Sequence, residues 1–114
     1  MRVKINESEW EVLWVKKSND KLVLDNERCL GITYFDEKRI YLNKGLSEKS
    51  FRKTVVHEFV HAFLYSYGID LENTNEDVEE TVCEFVENHY KKILKLASKV
   101  VKAWKLSMMI RSFA

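Results

Sequence analysis

The order of apolar and polar residues divides the chain into a β-rich first part and an α-rich second part. Within residues 1–46, apolar residues alternate with polar ones around Val3 and Ile5, and again between Trp10 and Trp14. Alternation of this kind is typical of strands with one buried face. A short helix is an alternative for the stretch that contains the two tryptophans.

A hairpin is predicted next, because two β-prone runs flank a polar triplet. The runs cover residues 29–35 and 39–43, and Asp36, Glu37 and Lys38 lie between them. Runs rich in β-branched and aromatic residues on either side of turn-forming residues favour two antiparallel strands.

From residue 47 the apolar residues follow a helical period. Ser47 can cap a helix that runs through both histidines of the segment to about Tyr67, and Gly68 suits the left-handed residue that ends it. A second helix is predicted to begin near Thr74 or Asn75, and to run to about Lys95.

The second helix has a basic continuation, bent or broken, to about Met109. Strands followed by helices indicate an α+β domain, in which helices pack on one face of a small, mainly antiparallel sheet. The chain is predicted to form a single domain, 1–114, with a β-rich part (1–46), a first helix (47–68) and a helical part (74–110).

Composition supports an ordinary globular protein of one domain. Of the 114 residues, 46% are hydrophobic and 32% are charged, and the formal net charge of +1 gives no general signature of nucleic-acid binding. No apolar run reaches the length of a membrane span. Cys29 and Cys83 lie far apart without CxxC spacing, which favours a reducing compartment and predicts a cytoplasmic protein.

Charge is distributed unevenly over the second half of the chain. Residues 71–90 include seven acidic and no basic residues, and residues 91–114 include seven basic and no acidic residues. An apolar stripe runs through the basic segment, so we interpret it as a docked helix with a solvated lysine face. An anionic partner surface and an interfacial membrane helix are alternatives.

The candidate chemistry lies in the sequence TVVHEFVHAF, residues 54–63. His57 and His61 are four residues apart, so both project from one face of a helix and can bind one zinc ion. Glu58 points about 100° away from His57, too far round to join both imidazoles as a ligand but close enough to reach a zinc-bound water. A carboxylate there can accept the proton of that water and pass it to the leaving amine.

Two histidines and a glutamate can also fall on a partly buried helix by chance. The surrounding pattern favours a site, because the helix is apolar nearly all round except along one polar stripe. That stripe consists of Thr54, His57, Glu58, His61 and Tyr65.

A catalytic zinc of this kind takes one further protein ligand and keeps an open position. Glu79 is the best candidate by helical face, because it shares its face with apolar residues and a carboxylate there faces a large desolvation cost unless it is paired or bound to metal. Cys83, Glu76 and His89 remain alternatives, and His89 is more typical of a hydrogen-bonded histidine at the margin of the core. The other downstream acids, Glu80, Glu84 and Glu87, share a wholly charged face with Lys91 and are most simply solvated.

Cys29 suggests a comparison with peptide deformylases, in which an upstream cysteine joins an HExxH pair. The sequence ERCLG at residues 27–31 has only a faint similarity to their cysteine motif, and their glycine-rich segment is missing. We therefore interpret Cys29 as a structural residue at a strand start.

Three segments together resemble the ImmA/IrrE metallopeptidases, gluzincins with a minimal zincin fold, in their small phage or mobile-element form. GITYFDEKRIYLN (31–43) is similar to the family's hairpin, TVVHEFVHAF to its HExxH helix, and EETVCEFV (79–86) to the segment whose leading glutamate is the third zinc ligand. The resemblance implies one zinc ion bound by His57, His61 and Glu79, with Glu58 as the general base.

The implied activity is zinc-dependent cleavage of a specific protein, for which a transcriptional repressor is the candidate. We expect the substrate to lie in extended form along Arg39–Asn43 (Arg39, Ile40, Tyr41, Leu42 and Asn43). Tyr65 and Tyr90 are candidate oxyanion donors, although either is more typical of a packing residue. The alternatives are an SprT-like protease, which would use His89 as its third ligand, and a non-catalytic, metal-stabilised regulatory protein of a mobile element.

Overall fold

The computed structural model describes residues 1–69 and 76–112, without the side chains of residues 76–80, 83, 111 and 112. The fold is α+β with a mainly antiparallel sheet, as predicted. Its strands are β1 (Arg2–Ile5), β2 (Ser8–Val15), β3 (Val23–Leu24), β4 (Glu27–Arg28), β5 (Gly31–Tyr34) and β6 (Arg39–Asn43), and its helices are α1 (Glu48–Ser66) and α2 (Glu76–Ser112).

Four strands form the main sheet in the order β1-β2-β6-β5. The outer pairs are antiparallel, whereas β2 and β6 run parallel in the centre, with Val12 opposite Ile40. The two left-handed residues Asn6 and Glu7 (φ 46° and 65°) make the tight turn between β1 and β2. β3 and β4 form a separate two-stranded hairpin.

The stretch with two tryptophans is a strand, as its alternation predicts, and the helical alternative is wrong. Trp10 and Val12 are buried on the inner face of β2, together with Ile40 and Leu42 of the neighbouring strand. The predicted hairpin is also confirmed, because β5 and β6 pair antiparallel across the triplet, with Lys38 in the left-handed conformation (φ 53°).

Helix α1 begins and ends at the residues that its capping signals predict. The Ser47 hydroxyl accepts a hydrogen bond of 3.2 Å from the Ser50 backbone N–H, and Gly68 has φ 69° beyond the last turn. The buried face of α1 includes Phe51 and Phe59, and the helix packs on β1, β5 and β6. The candidate site on α1 therefore lies next to the sheet.

Helix α2 is one continuous helix, where the sequence suggested a bend or break near residue 95. No glycine or proline occurs between residues 76 and 112, so nothing in the sequence forces an interruption. The helix packs mainly on α1, so α1 contacts both the sheet and α2.

The basic part of α2 is docked with its lysines in solvent, as predicted. Trp104 stacks on Phe51 with ring centroids 4.2 Å apart and donates a hydrogen bond of 3.0 Å to the Lys44 carbonyl. At this same end the Lys105 ammonium lies 2.8 Å from the Glu48 carboxylate of α1. The lysines at 91, 92, 95, 99, 102 and 105 are all exposed.

None of the helices over residues 1–69 and 76–112 combines the length and apolar character needed to cross a membrane.

Candidate metal centre

The two histidines of α1 point toward one another from successive turns. Their Nε2 atoms are 3.2 Å apart, and the rings are nearly perpendicular, at 78°. Two nitrogens bound tetrahedrally to one zinc, at bond lengths of about 2.0–2.1 Å, would be separated by about 3.3 Å. His57 and His61 are both exposed, so a metal ion can reach them. This donor pair therefore fits a single tetrahedral cation.

Glu58 lies beside this pair, on the side of α1 that faces the sheet. Its side chain is buried, with a relative exposure of 5%. The Thr33 hydroxyl donates a hydrogen bond of 2.9 Å to Glu58 Oε1 and lies 3.3 Å from the Glu58 carbonyl oxygen. Because a buried carboxylate is costly without donors, this contact stabilises Glu58 where it lies.

Gly31 allows α1 to approach strand β5 closely at the same point. A Cβ at position 31 would lie 2.8 Å from Thr54 Cγ2 and 3.0 Å from Glu58 Cγ, closer than side-chain atoms pack. The glycine of the predicted hairpin is thus required by the contact with the HExxH helix. A larger residue would push Glu58 away from the strand.

Two cavities open beside the histidines on the β5 side of α1, with volumes of about 420 and 310 Å³. Both are lined by Cys29, Gly31, His57 and Glu58, and the smaller one also reaches His61. Cys29 is partly exposed, and its Sγ lies 3.8 Å from the Glu27 carbonyl. Cys29 lies between β4 and β5, not at the start of a strand, and it lines the cleft beside His57.

An apolar groove lies along α1 on the other side of the histidine pair. Its volume is about 690 Å³. The described lining contains three half-buried aliphatic residues, two basic residues and both histidines: Val56, Val60, Leu64, Arg52, Lys53, His57 and His61. The histidines therefore stand between a cleft at the sheet and an apolar surface on the helix.

The predicted third ligand cannot be placed among the described side chains. Over those side chains, no group of three or more His, Cys, Asp or Glu residues lies close enough together to hold a metal ion. The side chains of Glu76, Glu79, Glu80 and Cys83 lie outside the described set, so Glu79 stays a prediction. Glu84 and Glu87 are exposed, as expected for a solvated face.

Two residues on the face that the helical wheel assigns to Glu79 are exposed, since Val86 and Tyr90 have relative exposures of 50% and 45%. Val82, the described member of that face nearest to Glu79, is half-buried. The assignment of Glu79 as a ligand stays a prediction, made from its helical face and from the resemblance of the 79–86 segment to the known family.

His89 packs among aromatic rings, away from the described linings of the three cavities. Its ring centroid lies 4.2 Å from that of Tyr67, 4.9 Å from Phe85 and 6.0 Å from Phe63. Burial, and to a smaller extent the charge of Lys92, lowers the pKa of His89 from its ordinary value. The predicted position at the core margin is confirmed, and the described contacts are ring contacts.

The two candidate oxyanion donors, Tyr65 and Tyr90, are both about half exposed. Tyr65 packs against Phe35 at 5.0 Å and edge-on against Trp10 at 6.2 Å. The described linings of the cavities beside the histidines include neither Tyr65 nor Tyr90. Tyr65 is thus shown as a packing residue, and a catalytic role for either tyrosine stays a prediction.

The expected substrate strand, Arg39–Asn43, is wrong for strand addition. This segment is β6, and it is paired with β2 on one side and with β5 on the other. Its backbone groups are therefore already used within the sheet. The sequence could not reveal this, because the parallel pairing of β2 with β6 joins segments that are distant along the chain. In the main sheet, the strand at the edge beside the histidines is β5.

Thr33 is the contact that sequence reasoning missed. A signal was present, since residues two apart in a strand share a face, so Thr33 must point to the same side as Gly31. The sequence did not place Gly31 beside the HExxH helix, however, so this signal was not connected to the candidate site. What the sequence could not give was the partner of the hydroxyl.

Comparison with protein-family models matches residues 15–99 to Peptidase_M78, described as the IrrE N-terminal-like domain. The matched segment contains β5, β6, all of α1 and most of α2. Comparisons with curated proteins and with solved structures gave no significant match.

Proposed function

Because the chain belongs to the IrrE N-terminal-like domain family of peptidases, we propose that it is a zinc-dependent endopeptidase that cleaves a specific protein. The observation that carries the proposal is the facing pair of Nε2 atoms, 3.2 Å apart, with a buried carboxylate on the adjoining residue. That combination provides two metal ligands and one proton acceptor in a single turn of helix.

His57 and His61 would hold the zinc ion, and Glu79 is the third ligand that we propose from the family resemblance. Zinc, when bound, acts as a Lewis acid that polarises a carbonyl and lowers the pKa of water to about 7. The exposure of both imidazoles leaves room for water and substrate next to them.

Glu58 accepts the proton of the attacking water and delivers it to the amine that leaves. Glu58 lines both cleft cavities, together with His57, so it lies next to the space where a peptide bond would be bound. Burial restricts the movement of this carboxylate and limits its contact with bulk water. Glu58 is thus the residue on which catalysis depends once the metal ligands are in place.

An extended peptide would bind along the free edge of β5. The Asn43 N–H donates to the Leu30 carbonyl at 2.8 Å, which makes residues 30 and 43 a hydrogen-bonded pair. In an antiparallel ladder such pairs alternate, so the backbone groups of Gly31 and Thr33 point away from β6. They are the donors and acceptors available for strand addition next to the histidines.

The substrate class that we propose is a regulatory protein, with a transcriptional repressor as the first candidate, as the family resemblance implies. The apolar groove along Val56, Val60 and Leu64 offers a second contact surface, where an apolar side chain of the substrate would be bound. Cleavage would therefore require an extended segment with an apolar residue near the scissile bond.

Metal analysis of the purified chain and of Glu58→Gln tests the proposal. We expect about one zinc per chain in both proteins, and loss of cleavage only in Glu58→Gln. Proteomic comparison of cells that express the two proteins would identify the substrate as the protein that is shortened only by the wild type. Absence of stoichiometric zinc in protein prepared without chelators would refute the proposal that the chain is a zinc-dependent endopeptidase.

Glu79→Ala and the matched control Glu80→Ala test the third ligand. We expect Glu79→Ala to lose zinc and Glu80→Ala to keep it, because the neighbouring carboxylate is predicted to face solvent. Equal zinc contents in the two variants would show that Glu79 is not a ligand. Retained zinc with an unchanged cellular phenotype for Glu58→Gln would instead indicate a regulatory protein that acts by binding.

A further inference from the structure

We propose that Thr33 is a positioning residue that holds the Glu58 carboxylate in its working orientation. The inference rests on the proposed function, since it concerns the group that would accept the proton. Thr33 lies on β5 and Glu58 on α1, so the base of the reaction is held from the sheet rather than only by its own helix.

The hydrogen bond itself assigns the two carboxylate oxygens different roles. Thr33 Oγ1 lies 2.9 Å from Glu58 Oε1 and 3.3 Å from the Glu58 carbonyl oxygen. A hydroxyl has one proton, and the shorter, charge-assisted contact is the stronger of the two. Oε1 is therefore engaged, and Oε2 is the oxygen left to accept a proton from water.

The position of the hydroxyl is fixed by backbone geometry rather than by a mobile loop. Thr33 pairs with Ile40 in the β5–β6 ladder, so its Cα cannot shift without breaking strand pairing. Thr33 and Gly31 share a face, and the missing Cβ at Gly31 lets α1 approach until Glu58 reaches the threonine. Being β-branched, threonine also has few side-chain rotamers.

The same residue lies at the edge where a substrate would pair. The backbone N–H and carbonyl of Thr33 point away from β6, toward the free edge, whereas its side chain points to α1. A peptide bound along β5 would therefore be placed in register with Glu58 through a single residue. Thr33 links the position of the scissile bond to the orientation of the proton acceptor.

The experiment compares Thr33→Val, which keeps the shape of the side chain without its hydroxyl, with Thr33→Ser, which keeps the hydroxyl. Thr54→Val is the matched control, because Thr54 lies on the other side of the contact at Gly31 but donates its hydrogen bond, 2.8 Å, to the Ser50 carbonyl of its own helix. For each protein we would measure bound zinc, thermal unfolding, and the carboxyl carbon resonance and side-chain couplings of Glu58 by NMR.

We expect a single Glu58 rotamer in the wild type, in Thr33→Ser and in Thr54→Val, and a shifted carboxyl resonance with averaged couplings in Thr33→Val. Unchanged Glu58 signals in Thr33→Val, even with a lower melting temperature, would show that the hydroxyl has only a structural role and would overturn the inference. Should Thr33→Val fail to fold, the crystal structure of Thr33→Ser decides, since loss of the contact to Oε1 there contradicts a hydroxyl-specific role.

The result separates the inference from the proposed function. Zinc content tests the metal centre, whereas the Glu58 signals can be read in metal-free protein as well. If the wild type binds no zinc but its Glu58 rotamer still depends on Thr33, the peptidase function is refuted and the positioning role of Thr33 is retained. If the wild type binds zinc but the Glu58 signals do not depend on Thr33, the positioning role is refuted and the peptidase function is retained.

Discussion

Two histidine environments in this molecule differ in exposure and in what the imidazole rings contact. His57 and His61 are exposed, and their Nε2 atoms face one another at 3.2 Å. His89 is partly buried, and its ring packs on those of Tyr67 and Phe85. His57 and His61 can donate nitrogen lone pairs to a cation, whereas His89 packs at the contact between α1 and α2. Spacing on a helix, not residue type, separates a candidate ligand from a packing residue.

The largest expected effect is loss of the metal when either histidine of the pair is removed. We expect His57→Ala to weaken zinc binding by more than about 100-fold, since even residues that only orient ligands contribute about 10–100-fold. His89→Gln should keep the zinc content of the wild type. Titration with a competing chelator measures the zinc affinity of both variants. If His57→Ala and His89→Gln lose the same zinc affinity, the two histidine environments do not differ in metal binding.

The next largest effect is expected from a side chain added at Gly31, where β5 and α1 are in close contact. In Gly31→Ala the new Cβ would meet Thr54 Cγ2 at 2.8 Å. We expect a loss of about 1–3 kcal/mol in the free energy of unfolding, because overpacking shifts backbone or forces off-rotamer side chains. Chemical denaturation measures it. Gly45→Ala is the control, since the nearest atom to a Cβ there, Asn43 Oδ1, is at 3.4 Å; a smaller loss for Gly31→Ala than for Gly45→Ala would contradict the close contact.

A pH-dependent stability is expected from His89. Its pKa in the folded protein is lowered from 6.5, first by burial and then by the charge of Lys92. Between the two pKa values the unfolded chain binds more protons than the folded one, so the free energy of unfolding falls as the pH drops below 6.5 toward the folded pKa. Above 6.5 this contribution is fully present.

Urea unfolding of metal-free protein at about pH 7.5 and about pH 5.5 measures this dependence. His89→Phe keeps an aromatic ring among Tyr67 and Phe85 but cannot bind a proton, so it should lose less stability on acidification than the wild type. The same loss in both proteins would show that His89 does not contribute. Metal-free protein is needed because release of the proposed zinc ion would add its own pH dependence.

The smallest effect concerns the far end of the α1–α2 contact. Glu48 of α1 lies 2.8 Å from the Lys105 ammonium and 3.6 Å from the Arg52 guanidinium. The hydrogen bond and charge of Lys105, with a smaller part from Arg52, lower the pKa of the Glu48 carboxyl. Lys105→Ala should lower the melting temperature slightly at low salt and not at high salt, since exposed ion pairs are screened. Lys99→Ala is the control, and a salt-independent loss would indicate lost packing instead.

The sequence by itself determined the local features of the site. The cap at Ser47, the stop at Gly68 and the turn around Lys38 each depend on a few neighbouring residues, and all three were predicted. The facing of His57 and His61 follows from a spacing of four on a helix, whatever the rest of the chain does. Such features depend only on residues that are close together in the sequence.

Only the tertiary structure decided what surrounds the pair. The parallel pairing of Val12 with Ile40 makes β6 a central strand and leaves β5 at the edge, and no local pattern records it. The bond from Thr33 to Glu58 joins residues 25 positions apart, and the helical wheel did not indicate that Val86 is 50% exposed. Contacts of this kind depend on how distant segments pack, which periodicity along one element cannot specify.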